Sequence, residues 1–317
     1  MNIMETELLQ LMEQSRKISW DHFGKKISFY HPGMFRYRGN WGDYPALSIT
    51  GDHCMLQCDH CQGKLLESMI SVSDGEDLVQ KCLHLEEKGN KGCLISGGSR
   101  LDGSLPWKDF LYGIETIKKK TELHISVHSG IVDFTMARRL KEAGVDQVLI
   151  DVIGDNDTFQ SIYHCDFGVE RIEESLYALK KAHLPIVPHI VIGLNYGTIH
   201  GEYQAIELMN RIKPDVLTFV SLMPLKGTPM QNTSPPSAEK IAHVIATARL
   251  KLPNTLFSLG CARERSNTKI ELHALDSGIN RMALPSDETI RKAQAYGLSI
   301  EWNKTCCSVI KKERDEK

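Results

Sequence analysis

The sequence predicts an α/β fold: a (βα)8 barrel of TIM type over residues 45–300, with an N-terminal helix and lid segment over 1–44 and a C-terminal tail over 301–317. Three observations predict it. Eight short apolar or β-branched runs recur between Pro45 and Pro285, nearly all followed by a helical pattern, and eight parallel strands is the number that closes a barrel. The runs are almost continuously hydrophobic, as parallel strands covered on both faces are. Neither GxGxxG nor GxxxxGK(S/T) follows the first run, which disfavours the alternative, a doubly wound open sheet.

In chain order, residues 1–44 open with a helix carrying Met4, Leu8, Leu11 and Met12 on one face. An irregular aromatic segment follows (Phe29, Tyr30, Phe35, Tyr37, Trp41), read as a lid packed over one barrel end. Strands are expected at Ala46–Thr50, Gly92–Ser96, His124–His128, Gln147–Val152, Ile186–Ile192, Val216–Leu222, Thr255–Leu259 and Ile279–Leu284. Helices are expected at Trp107–Lys120, Asp133–Ala143, Val169–His183, Gly201–Ile212, Ser237–Leu250, Lys269–Asp276 and Asp287–Tyr296. Gly144, Gly278 and Gly297 stand where a left-handed C-cap closes a helix. Ser237 and Ser286 fit N-caps, with Lys240 and Thr289 rather than Glu at the capping-box position. The closing KKERDEK reads as a solvated, frayed charge run.

Of the 317 residues 41% are hydrophobic, enough for a large core. Lys and Arg number 38 against 40 Asp and Glu, a net charge of −2, which removes the electrostatic reason to expect nucleic acid or an anionic membrane as partner. No apolar run approaches the roughly 18 residues of a membrane span. The N-terminus is acidic and amphipathic, unlike a signal peptide, so a cytoplasmic location is expected.

Nine cysteines without a secretion signal point to metal or redox chemistry rather than a disulfide framework. In Cys54-Met-Leu-Gln-Cys58-Asp-His-Cys61, three thiols follow the first strand, at the barrel end where active sites sit. Three thiolates can ligate three irons of a [4Fe–4S] cube and leave the fourth open to an external ligand. The alternative is a zinc knuckle completed by His53 or His60, but no second CxxC exists to supply the usual separated ligand pair.

With this CxxxCxxC after the first strand, the chain resembles the radical S-adenosylmethionine (radical SAM) superfamily. The resemblance implies that the open iron binds the amino and carboxylate groups of SAM, and that reduction yields a 5′-deoxyadenosyl radical. It implies that His60, at a position usually aromatic, contacts adenine. Gly97, Gly98 and Ser99 stand where the family commonly has Gly-Gly-Glu to hold the methionine amino group; Ser99 replaces the Glu. Asp151 and Asp155 are placed to accept from ribose hydroxyls, or equally to cap the next helix. Backbone at Ile192, in a GxIxG-like segment, would pair with adenine.

The turn Leu225-Lys-Gly-Thr-Pro229 and the segment from Ser237 through Leu298, with Leu-Gly-Cys-Ala-Arg and Ser-Gly-Ile-Asn, narrow the resemblance to the biotin-synthase-like branch. It departs at the substrate end. Biotin synthase holds a second cluster with barrel cysteines and an Arg on the last strand; here the comparable positions carry His128 and His189, and the last strand ends in Met282-Ala-Leu-Pro. Cys261 ends the seventh strand, and Cys306 and Cys307 lie on a tail able to fold back over the mouth. These three are candidates for an auxiliary Fe–S cluster acting as sulfur donor; the alternative is a small buried residue and an incidental pair. Cys82, Cys93 and Cys165 are read as structural.

In this arrangement, with HCxxxCDHCxGKLL and the terminal Cys-Cys, the chain is similar to subunits of two-component lipoyl synthases. That similarity implies sulfur insertion into an octanoyl chain on a carrier protein or peptide, a second radical SAM subunit, and an electron donor such as ferredoxin or flavodoxin. The competing expectations are a radical SAM mutase or cofactor-maturation enzyme without sulfur insertion, and a zinc-stabilised scaffold or binding subunit.

Overall fold

The computed structural model describes residues 3–310; the side chain of Met4 and the charged run 311–317 lie outside the described residues. The chain begins with α1 (Ile3–Phe23), β1 (Lys26–Tyr30), and a small hairpin of β2 (Arg36–Tyr37) and β3 (Asn40–Trp41). Next come β4 (Ala46–Ser48), β5 (Ile70–Ser71), α2 (Gly75–Glu87), β6 (Gly92–Ser96), α3 (Leu111–Lys120), β7 (His124–His128), α4 (Phe134–Glu142) and β8 (Gln147–Asp151). A single turn, α5 (Asn156–Thr158), runs into a π-helical turn at Phe159–Tyr163. Then follow α6 (Val169–Lys181), β9 (Ile186–Ile192), α7 (Glu202–Ile212), β10 (Val216–Ser221), α8 (Ala238–Lys251) and β11 (Leu256–Leu259). The last elements are α9 (Thr268–Asp276), β12 (Arg281–Ala283), α10 (Asp287–Ala295) and β13 (Ser299–Asn303).

All eight expected strands form, as β4 and β6 through β12, and they neighbour one another in sequence order with parallel pairing. The helix ends follow the local chemistry. Ser237 and Ser286 accept from Lys240 N and Thr289 N, and Gly144, Gly278 and Gly297 take positive φ at the helix exits.

One expectation needs correction. The aromatic segment is not irregular throughout: Phe29 and Tyr30 belong to β1, which inserts in parallel between β12 and β13. Because the outer edge of β12 is taken by β1, β12 does not pair with β4. The eleven-stranded sheet therefore curls as an open barrel whose edges are β5 and β13. Only the hairpin part of the segment behaves as a cover. Phe35 and Tyr37 pack against the buried cluster of Tyr30, Ala283, Leu284 and Cys307, and Tyr37 Oη donates to Pro285 O. The N-terminal helix lies on the outside, where Met12, Leu8 and Leu11 meet Ala242 and Ala246 of α8.

The two sheet faces have different jobs. Val148, Ile150, Ile190, Leu217, Phe219 and Phe257 point into the main core beneath the helices, as alternation along a strand requires. On the opposite, concave face, the register aligns Asp151, His189, Thr218, Ser258 and Arg281 across five strands. After β13 the chain turns back and runs down this face. Ser258 Oγ donates to Cys307 O (3.3 Å), Gln147 Nε2 to Ser308 O (3.0 Å), and Ile310 N to Gln147 Oε1 (2.8 Å). Ile310 packs with Leu149, Val187 and Val216. Residues 306–310 thus fill the lower lumen and leave the mouth to the cysteine loop.

Candidate active site

The loop carrying Cys54, Cys58 and Cys61 leaves β4 and is pinned to the loop after β6. Met55 N donates to Ser99 O (2.8 Å), and the Cys54 thiol lies 3.9 Å from the same oxygen. Gly98 makes this approach possible: a Cβ there would stand 2.0 Å from His53 O and 2.5 Å from Cys54 Cα. The glycine is thus required by the chain's own packing, whereas a Cβ at Gly97 would meet only side-chain atoms of Ile49 and Thr50, at 3.1 and 3.2 Å. Inside the cysteine loop, Cys61 N and Gln62 N both donate to Cys58 O (3.1 and 2.9 Å).

Cys58 is buried, while Cys54 and Cys61 are partly exposed. Burial, then the neighbouring Cys61 and Cys54, push the Cys58 thiol well above its ordinary value; burial takes Cys61 to about 11. As free thiols these groups hold their protons, so metal loading here releases protons. Among the described residues, the one set of three ligand atoms mutually within 4.8 Å is Asp155, Asp157 and His200. A soft, three-thiolate donor set fits a cube, and the chain offers no second CxxC to complete a zinc knuckle.

His60, between the second and third cysteines, has a buried Nδ1 with no hydrogen-bond partner. Burial lowers its pKa, so the ring is neutral; it stands 5.7 Å from the Tyr163 ring. Ser99 and Gly97 line a cavity of about 100 Å³ with Leu56, His128, Asp151 and Tyr163. Asp151 ends β8 at this cavity, 3.5 Å from His128 Nε2. Burial alone would raise its pKa, but His128, with His189 and His60, holds it down to about 2. In return, Asp151 overrides the burial that disfavours His128⁺ and raises its pKa, while burial drops His189 to about 4. The mouth therefore presents a fixed carboxylate able to accept from hydroxyls.

Asp155 takes the capping alternative: its carboxylate accepts from Thr158 N (2.8 Å) and Oγ1 (2.7 Å) and faces His200 at 3.3 Å. The carbonyl of Ile192 already accepts from Leu222 N (2.9 Å), and its side chain lies in the core.

Across the lumen, Cys261, Cys306 and Cys307 share one small cluster with Tyr30, Ala283 and Leu284. A hydrogen bond from the Cys307 thiol, aided by Ser308 and Arg281, lowers the Cys306 pKa against the effect of burial; burial lifts Cys261 to about 11. Cys82 and Cys93 face each other at 3.9 Å in the outer core. Arg281 escaped the sequence reading. It sits on β12 one residue before Met282, is 5% exposed, and donates through Nε to Tyr30 Oη (2.9 Å) and through Nη2 to Val309 O. Its signal was a lone cation inside an apolar strand run.

No helix among the described residues is long and apolar enough to cross a membrane. The family model "Radical SAM superfamily" matches residues 48–206, and "Biotin and Thiamin Synthesis associated domain" matches 218–311. Biotin synthase of Clostridioides difficile (strain 630) is 27% identical over 216 residues, 66% of this chain and 65% of that relative, slightly under two thirds of its length. Biotin synthase of Halorhodospira halophila is 23% identical over 300 residues, covering 89% of this chain and 83% of the relative. Among solved structures, methylornithine synthase (PylB) superposes with a TM-score of 0.66 at 15% identity, covering 93% of this chain and 90% of that one. The FeFe-hydrogenase maturase HydG from Carboxydothermus hydrogenoformans gives 0.64 at 16%, covering 92% and 71%. At these identities the structures show the fold alone.

Proposed function

The chain belongs to the radical SAM superfamily, on its biotin-synthase-like branch, and we propose that it is the sulfur-inserting subunit of a two-component lipoyl synthase. The observation that carries this reading is the second group of thiols, Cys261, Cys306 and Cys307, gathered beyond the C-terminal end of β11, the same end of the parallel sheet as the Cys54–Cys61 loop after β4. Relatives named biotin synthase support sulfur insertion as the reaction class.

In this reading Cys54, Cys58 and Cys61 would hold a [4Fe–4S] cluster, and Cys261, Cys306 and Cys307 would hold the auxiliary, sulfur-donating cluster. When bound, the first cluster would supply the electron for reductive cleavage of SAM, the radical-generating chemistry of the family. The chain's residues bind and orient. His60 offers a neutral flat ring and an unpaired Nδ1 to the adenine end. Asp151, ionised and held by His128, accepts from ribose hydroxyls. Gly98 lets the cysteine loop seat against β6, and Ser99 lines the wall where a Glu stands in relatives. Residues 306–310 close the lumen from below, so an octanoyl chain on its carrier enters from the mouth.

With one CxxxCxxC, the chain has one radical site for two C–S bonds; a second radical SAM subunit makes the other, and a ferredoxin or flavodoxin supplies electrons. The test is anaerobic incubation with SAM, reductant and an octanoylated carrier peptide, alone and with the second subunit, read by mass spectrometry. Mono-thiolation alone, or none until the subunit is added and a dithiolated product then, is expected. Dithiolation by this chain alone refutes the division of labour. No thiolation under either condition moves the assignment to a mutase or cofactor-maturation enzyme.

A further inference from the structure

Eight non-glycine residues among those described adopt positive φ, and four of them meet at one place: Gln57 (47°), Gln62 (44°), His164 (54°) and Tyr196 (46°). Left-handed backbone is unfavourable for residues with a Cβ and persists where surrounding contacts over-determine it; it concentrates at functional sites. Gln57 and Gln62 bracket the second half of the cysteine loop. His164 caps the π-helical turn after β8, and Tyr196 lies in the loop after β9.

The three segments converge on Asp59, between Cys58 and His60. Its Oδ2 accepts from Tyr196 Oη at 2.5 Å, its Oδ1 faces His164 Nε2 at 2.8 Å, and its backbone N donates to Ile162 O at 3.0 Å. The carboxylate is 14% exposed. It gives each partner a separate oxygen, so both bonds are to an ionised acceptor, which an amide cannot supply. One residue along, the rings of His60 and Tyr163 face each other. Asp59 therefore ties both ends of that ring pair, since it precedes His60 and holds the residue after Tyr163. The two outer loops are also joined to each other, through Asn195 Nδ2 to Thr158 Oγ1 (3.2 Å).

We propose that Asp59 is a positioning residue that clamps the cluster-binding loop to the loops after β8 and β9, so that cluster placement and the His60–Tyr163 wall of the SAM pocket are set together. This rests on the radical SAM reading of the mouth. Asp59 acts through His60, Tyr163 and the backbone, since its carboxylate oxygens are taken by Tyr196 and His164. A π-turn at the point of attachment matches the recurrence of such turns at functional sites.

The test compares wild type, Asp59→Asn, Asp59→Ala, Tyr196→Phe and His164→Gln after anaerobic reconstitution. SAM affinity, the SAM-induced change in the reduced cluster's EPR signal, iron content, and hydrogen exchange of 159–164 and 193–197 are measured. Losing one charge-assisted bond is expected to weaken SAM binding about tenfold in Asp59→Asn, with more in Asp59→Ala and less in Tyr196→Phe. Iron stays at the wild-type level, the EPR change shrinks, and both segments exchange faster. Wild-type SAM affinity in both Asp59 variants overturns the proposal. So does a loss of affinity that merely tracks lost iron in every variant, because Asp59 then only folds the loop. Failure of the wild type itself to bind or cleave SAM sinks the underlying reading instead, and is recognised by that control.

Discussion

Gln147→Leu removes the side chain that holds the C-terminal segment inside the barrel. Gln147 is 1% exposed and makes two hydrogen bonds to that segment, accepting from Ile310 N at 2.8 Å and donating to Ser308 O at 3.0 Å. Leucine fills similar volume but offers neither donor nor acceptor. Each buried group left unpaired costs about 1–3 kcal/mol, so holding the tail in place becomes about 2–6 kcal/mol less favourable. The chain relieves this by releasing residues 307–310 to water, and even 2 kcal/mol makes such opening roughly 30-fold more frequent. Native-state hydrogen exchange read by mass spectrometry over the last ten described residues measures it directly. Faster exchange confined to that peptide is expected, with the cysteine-loop peptide unchanged. Exchange within threefold of wild type refutes the claim that Gln147 anchors the tail.

Other perturbations follow from the same geometry. Gly98→Ala drives a methyl into His53 O and Cys54 Cα; reconstituted iron at the first site should fall while the far-UV circular dichroism holds, and full iron content contradicts this. Burial of neutral His189 depresses its pKa to about 4. The unfolded chain then binds a proton between about pH 6.5 and 4 that the folded chain does not, so this group's stability contribution is full above that window and is lost as pH falls. His189→Gln should flatten the slope, by at most about 3 kcal/mol in urea unfolding; an unchanged slope excludes His189 as its source. Replacing Cys261, Cys306 and Cys307 together by Ala should remove about four irons and stop sulfur transfer while 5′-deoxyadenosine still forms. Unchanged iron in that variant removes the auxiliary cluster from these residues.

Much of the frame was legible because its signals are local. Eight buried strands read as apolar runs, and their helices stop at Gly144, Gly278 and Gly297 because positive φ is needed there. The CxxxCxxC spacing located the mouth for the same reason. What was hidden depends on pairing at a distance. Lys26–Tyr30 carries only five residues of strand signal beside a run of aromatics, and nothing local says that it enters between β12 and β13. With β1 there, the TIM-type core is extended at the β12 edge by β1 and β13. Arg281 was masked by the apolar strand around it, and its partners, Tyr30 and Val309, come from opposite ends of the chain. The ambiguity at Asp151 and Asp155 was real in the sequence: four residues apart, one faces the mouth cavity and the other caps a turn.

The central claim is that Cys54, Cys58 and Cys61 hold the cluster that makes this chain a radical SAM enzyme. Its most direct test is reductive SAM cleavage by the variant in which all three are Ala, assayed anaerobically as 5′-deoxyadenosine per chain alongside iron content. That variant should lose about four irons and the absorption near 400 nm, with no 5′-deoxyadenosine above the protein-free background. Cleavage of SAM at the wild-type rate by that variant would contradict it.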